Sequence, residues 1–174
     1  LESVSLLQKA NDMLTHAQTA EAELAKKRQQ LDSGSSELRS RIANAKASTE
    51  SARQCFDRVV AAYAAPNWES VKGNGTEAEN RILAAEQALA SAEELSDVSH
   101  QQWDEAISAM QEGNMLLDKA VSLLSSIIKL EGFLNDAKEH AKQEVAAVQS
   151  DIGRVTSYID AHDDDIREVH EDAV

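Results

Sequence analysis

The sequence holds one Cys, one Pro, six Gly and only 3% aromatic residues. A single Cys excludes a disulfide framework and a cysteine-ligated zinc site. So few Gly and Pro exclude a sandwich or barrel, which needs a turn every ~8–12 residues. No apolar run approaches the ~18 residues of a membrane-spanning helix. The chain opens on Leu1-Glu2-Ser3 without the basic and apolar segments of a signal peptide. Lacking an initiator Met, it reads as a processed product or a piece of something longer. Positive charge is scarce as well: 17 Lys+Arg stand against 31 Asp+Glu, a net charge of −14. That balance opposes a non-specific grip on nucleic acid or anionic lipid.

What is present is Ala, Leu, Val and Ile at helical spacing, within a hydrophobic fraction of 42%. Ala10, Ala17, Leu24, Leu31, Leu38, Ala45, Ala52 and Val59 recur every seven residues. Leu7, Leu14, Ile42, Phe56 and Tyr63 keep phase beside them, with Glu21, Arg28, Ser35 and Thr49 in the same series. The phase survives Asp32-Ser33-Gly34-Ser35-Ser36, although Gly costs ~1 kcal/mol against Ala inside a helix. The periodicity therefore predicts one long helix, roughly 3–64, with a weakened joint rather than a loop.

Pro66 ends that helix, and Asn67 is the expected N-cap of the next. Trp68, Val71, Ala78, Ile82, Ala85, Leu89, Ala92 and Leu95 form its apolar face. Gly73-Asn74-Gly75 interrupts this face and is read as a site of close helix packing or a short 3₁₀ or π irregularity. Ser96-Asp97-Val98-Ser99 breaks the pattern again. Ser99 with Gln102 matches a capping box, and Val98 a staple onto Trp103. A third helix follows from His100 past Ile166, with a bend near Gly132. Its apolar face reads Trp103, Ile107, Met110, Leu117, Val121, Leu124 and Ile128, then Leu134, Ala141, Val148 and Val155. Val145, Ile152, Ile159 and Ile166 run beside it. The expected core is Leu38, Ile42, Phe56, Val59, Trp68, Ile82, Leu89, Trp103, Leu117 and Leu124.

The unequal helix lengths point to a repeat. A shift of 110 places superposes LLQKA (Leu6–Ala10) on LLDKA (Leu116–Ala120), Leu14 on Leu124, Leu24 on Leu134 and Ile42 on Ile152. The expected fold is all-α: an elongated antiparallel three-helix bundle over 35–132. Residues 1–34 then end a preceding repeat, and 133–174 form a helical extension with an acidic end. Gly34 and Gly132 fall near the joints. The three-helix unit, the Trp at helix starts and the shared linker helices resemble a spectrin-type repeat. The segments NWESVKGNGTEAE (Asn67–Glu79) and WDEAISAMQEGNMLLDKA (Trp103–Ala120) are similar to the Ala-rich helical region that follows the TPM domain in some bacterial cell-envelope proteins. That resemblance implies a helical stalk, bacterial and extracytoplasmic, and carries no catalytic residue across.

Four features invite a chemical reading. The acidic end DAHDDDIREVHED (Asp160–Asp172) offers His162, Asp163 and His170 as metal ligands, yet a calcium loop would need Gly where Asp165 stands. A solvated acidic helix end is the simpler account. KGNGT (Lys72–Thr76) lacks the spacing and the preceding strand of a phosphate loop. Trp68 and Trp103 are 35 apart, near a tetratricopeptide period, but the other positions of that repeat are missing. Cys55 would need a nearby His to act as a nucleophile and reads instead as a small apolar residue. Residues 61–174 carry 8 Lys+Arg against 23 Asp+Glu, which favours a basic partner. The sequence is thus expected to encode a non-enzymatic structural spacer or protein-interaction coiled-coil rod. It should need no cofactor, and it would meet a protein partner or a second copy through exposed apolar stripes, Leu7, Leu14 and Leu24 at one end and Val148, Ile152, Val155 and Ile159 at the other. The alternative is a helical binding module whose acidic half docks a basic protein or a divalent cation.

Overall fold

The computed structural model describes residues 2–162. Asp163 and His170 of the acidic end, and Ile166 of the third stripe, lie outside the described residues. The fold is all-α. Helix α1 spans Glu2–Ala62, α2 Asn74–Ser96 and α3 Trp103–Ala161. Two 3₁₀ turns, Ala65–Asn67 and Glu69–Val71, join α1 to α2. The chain divides into two compact units, Leu1–Ile128 and Lys129–Val174.

Helix α1 runs unbroken through Asp32–Ser36, as its heptad phase predicts. The poor helix formers there are supported locally. The Ser33 hydroxyl donates to the Gln29 carbonyl at 2.8 Å. Gly34 faces the thioether of Met110, which occupies the space a Cβ would take.

The start of α2 differs from the sequence expectation. Pro66 begins only a 3₁₀ turn, and Asn67 does not cap a helix; its side-chain amide donates to the Ala64 carbonyl at 3.3 Å. Trp68 closes α1 instead. Its indole N–H donates to the Tyr63 carbonyl at 3.1 Å, a helix-end acceptor without an intrahelical partner. The edge of the Phe56 ring meets the Trp68 ring with centroids 5.8 Å apart. Gly73 is the actual N-cap of α2, at φ +86°, a conformation that a residue with a Cβ rarely adopts. A Cβ at Gly73 or Gly75 would meet nothing within 4 Å, so neither marks close packing; Gly73 caps α2 and Gly75 lies in its first turn.

The link into α3 is also built differently. Helix α3 begins at Trp103, and the first turn closes through Ala106 N–H to the Gln102 carbonyl at 2.9 Å. Ser99 makes no capping box. Its amide and hydroxyl both donate to the Asp97 carboxylate, at 2.8 and 2.6 Å, a local Asx-type turn that competes with helix. Val98 is 69% exposed and staples nothing. Gly34 and Gly132 both lie within helices.

Cross-helix side-chain pairs fix the packing order in the first unit. Arg39 pairs with Glu93, and Lys46 with Glu86 at 2.5 Å, so α1 and α2 run antiparallel. Lys27 pairs with Asp104 at 2.6 Å and Arg41 with Asp118, the same offset each time, so α1 and α3 run parallel. The result is an up-down-up bundle. Its core takes Leu31, Leu38, Ile42, Ala45, Ala52 and Val59 from α1 and Ala78, Ile82, Ala85, Leu89 and Ala92 from α2. Ala106, Met110, Leu117, Ala120, Leu124 and Ile127 complete it from α3. No buried polar or charged residue interrupts the core among the described residues.

Seven of the ten expected core residues are buried; Phe56, Trp68 and Trp103 are only half-buried. Ala explains the difference. Alanines at 78, 85 and 92 are fully buried and bring α2 close to its neighbours, so large rings cannot enter the seam. Trp103 packs at the bundle end, under the Arg28 guanidinium, 5.0 Å from its ring centre. Val121 and Ile128 are exposed; the α3 seam runs instead through Ala106, Ala120 and Ile127.

Candidate functional site

Two stretches of helix carry apolar side chains that the fold does not bury. In the first unit every described side chain from 3 to 26 is exposed. The stretch includes Val4, Leu6, Leu7, Met13, Leu14 and Leu24, with Leu7 71% and Leu14 57% exposed. At 100° per residue, Leu6, Leu7, Ala10, Met13, Leu14, Ala17 and Leu24 share one side of α1, and Leu31 and Leu38 continue that stripe into the bundle core. The opposite side carries Lys9, Asp12, His16 and Glu23. Thr15 and Thr19 also lie there, each bonding its hydroxyl to the carbonyl four residues back at 2.9 Å.

In the second unit every residue from 135 to 161 is exposed. Val145, Val148, Ile152, Val155 and Ile159 repeat at three and four residues, so this helix too has a continuous apolar side. Exposed apolar patches of this size mark association surfaces in folded proteins.

A cleft in the first unit is the other candidate. It holds about 310 Å³ near the start of α2, between Thr49, Arg53 and Phe56 of α1 and Gly73, Thr76 and Glu79. Its chemistry is mixed and self-satisfied. Arg53 is held by Glu50 at 2.5 Å, and Gln54 donates to the same carboxylate at 2.9 Å. These bonds pull the Glu50 carboxyl below its usual range and raise the Arg53 guanidinium. Asp57 and Glu79 line the wall as well. The Lys72–Thr76 segment therefore presents its glycines beside carboxylates, a poor setting for a phosphate.

The remaining sequence candidates are placed apart. Cys55 is buried, and the Arg58 guanidinium donates to its sulfur at 3.2 Å. His16 is on the same helix 39 residues away, about 58 Å along the axis. His100 sits in the α2–α3 loop, its Nδ1 3.1 Å from the Glu94 carbonyl. That loop lies at the far end of the bundle from Cys55. His162 stacks on Tyr158 at 4.1 Å, and its Nδ1 lies 2.9 Å from the Tyr158 carbonyl. Among the described residues no group of three or more His, Cys, Asp or Glu converges as metal ligands. No helix is long and apolar enough to cross a membrane among those residues.

Sequence reading missed the cross-helix register, although Lys27/Asp104 and Arg41/Asp118 have equal separations in the sequence and were legible as a pattern. It also missed Gly113. A Cβ there would approach Leu38 Cδ2 to 2.9 Å and the Ala85 carbonyl oxygen to 3.4 Å. Compared with known families, curated proteins and solved structures, the chain matches none.

Proposed function

We propose that the chain is a non-enzymatic helical spacer or protein-interaction module that associates through its exposed apolar stripes. One observation carries the reading: residues 3–26 and 135–161 keep heptad-spaced apolar side chains, yet each is exposed. Isolated helices gain little stability from propensity alone, so helix faces of this kind depend on packing partners. The likeness to stalk-forming helical regions and to spectrin-type repeats fits the same reading. In it, the central bundle is the rigid body and the two stripes are the joining surfaces.

The test is a pair of double variants, Leu7→Asp with Leu14→Asp and Val148→Asp with Ile152→Asp. Each should leave the bundle's melting temperature unchanged, because the stripes lie outside the buried core. Each should weaken association with its partner. A large loss of bundle stability from either would show that the stripe belongs to the core and would refute the reading. A melting temperature that rises with millimolar Ca²⁺ or Zn²⁺ would favour a cation-docking acidic half instead.

A further inference from the structure

We propose that the apolar side of residues 145–161 in one copy of the chain packs, parallel, on the apolar side of residues 3–17 in a second copy, with Ile152 level with Leu7. This rests on the association reading and names which surface covers which.

The buried seam between α1 and α3 supplies the pattern. The two helices run parallel there. Their buried positions keep a constant separation of 75 in the sequence: Leu38 with Gly113, Ile42 with Leu117, and Ala45 with Ala120. The close approach of Gly113 to Leu38 makes that spacing a contact. The shift of 110 places that superposes LLQKA on LLDKA carries the α3 side of the seam onto the start of α1. Buried Leu117, Ala120, Leu124 and Ile127 fall on Leu7, Ala10, Leu14 and Ala17. Half-buried Asn114, Leu116 and Leu123 fall on Val4, Leu6 and Met13. The match at the other end is independent, because LLQKA and LLDKA alone fix the shift. Buried Leu38, Ile42 and Ala45 fall on exposed Val148, Ile152 and Val155. Half-buried Ser35 and Thr49 fall on Val145 and Ile159. The start of α1 thus carries the packing pattern of a bundle α3, and the end of α3 that of a bundle α1.

The seam's own register then sets Ile152 level with Leu7, Val155 with Ala10 and Ile159 with Leu14. The Arg41–Asp118 pair falls on Asp151 and Gln8, where an amide can donate to a carboxylate and no like charges meet. Ala161 stands level with His16 of the second copy, before that copy's bundle core begins at Leu31 and Ala106. Glu2 of the second copy stands level with residue 147, inside a stretch where every residue is exposed. The pairing therefore stays within the exposed stretches of both copies. Either stripe paired with itself would set two faces of one type together, which the bundle does not do. Two different surfaces in contact leave one of each free on every pair, so association continues past a dimer. The paired length is about 22 Å at 1.5 Å per residue. So small an interface belongs to the weak, concentration-dependent class.

The experiment is sedimentation velocity on the full chain from low to high micromolar concentration, with the two double variants alone and mixed. Leu7→Asp with Leu14→Asp keeps only the α3 surface, and Val148→Asp with Ile152→Asp keeps only the α1 surface. The unaltered chain should form species beyond the dimer as concentration rises. Each variant alone should stay monomeric, and their equimolar mixture should form a 1:1 dimer and nothing larger. In a Cys55→Ser background, a Leu7→Cys chain mixed with an Ile152→Cys chain should oxidise to a mixed disulfide, whereas neither should crosslink to itself. Self-association of either double variant alone would overturn this pairing and leave the broader association reading standing. A mixture that stays monomeric where the unaltered chain associates would do the same. An unaltered chain that is strictly monomeric at high micromolar concentration would overturn the pairing with a second copy outright, while unchanged bundle stability of the variants would stand as a separate result.

Discussion

Gly113 tests the packing of α2 on α3 most sharply. Replacing it with Ala has two opposed effects. Inside a helix, Ala is favoured over Gly by ~1 kcal/mol. Against that, the new Cβ would lie 2.9 Å from Leu38 Cδ2, well inside the ~3.5–4.0 Å optimum for two carbons. Leu38 is fully buried and cannot swing away, and the Ala85 oxygen at 3.4 Å is backbone. Helices must part instead, and such overpacking costs ~1–3 kcal/mol. Gly34→Ala is the matched control. Its only close neighbour is the far end of Met110, a flexible side chain that can rotate away. The helix term cancels between the two variants. Gly113→Ala should therefore be less stable than Gly34→Ala by about 1–3 kcal/mol. Urea denaturation followed by circular dichroism at 222 nm measures that difference. Equal stabilisation by both substitutions would refute the close approach at Gly113.

Other expectations are as direct. Leu117→Ala, at a fully buried site, should cost ~2–5 kcal/mol in the same assay, whereas Val121→Ala should change little. A double-mutant cycle on Lys27 and Asp104 should return a coupling of only ~0–1 kcal/mol, since both side chains are solvated. Removing the guanidinium with Arg28→Ala should shift the fluorescence of Trp103, over whose ring it lies. The Ser99 hydroxyl and amide hold the Asp97 carboxyl below its usual range. The linkage is therefore stabilising above that range and is lost as pH falls through the lowered value. Amide exchange at Ser99 should accelerate on acidification relative to the Asp97→Asn variant.

Long-range order was legible in the sequence because a heptad phase survives local insult. The phase running from Ala10 to Val59 through Asp32–Ser36 correctly announced one helix, since Gly34 and its neighbours weaken a helix less than Met110 and the core sustain it. Helix starts were harder to read. Asn67 and Ser99 are good caps by residue type, but each spends its side chain on a nearby carbonyl or carboxylate. Gly73 serves as the cap through its backbone alone, which no side-chain pattern signals. The large aromatics were assigned to the core by size. The seam instead follows Ala78, Ala85 and Ala92, because a close approach of helices rewards small residues over large ones. Of the candidate site, the apolar stripes were visible as periodicity. Their exposure followed from the repeat reading, which assigned 1–34 and 133–174 to neighbouring repeats and so left these faces without the helices that would cover them; periodicity alone marks an apolar face without marking what covers it.

The central claim is that the apolar stripes over 3–26 and 135–161 are exposed and not part of the buried core. Hydrogen exchange by mass spectrometry, on a dilute chain proven monomeric by light scattering, tests it most directly. The account predicts fast exchange in both stretches and slow exchange from Leu31 to Val59, in α2, and from Ala106 to Ile127. Uniformly slow exchange from residue 3 to residue 161 would contradict it, because both stripes would then be buried in the monomer.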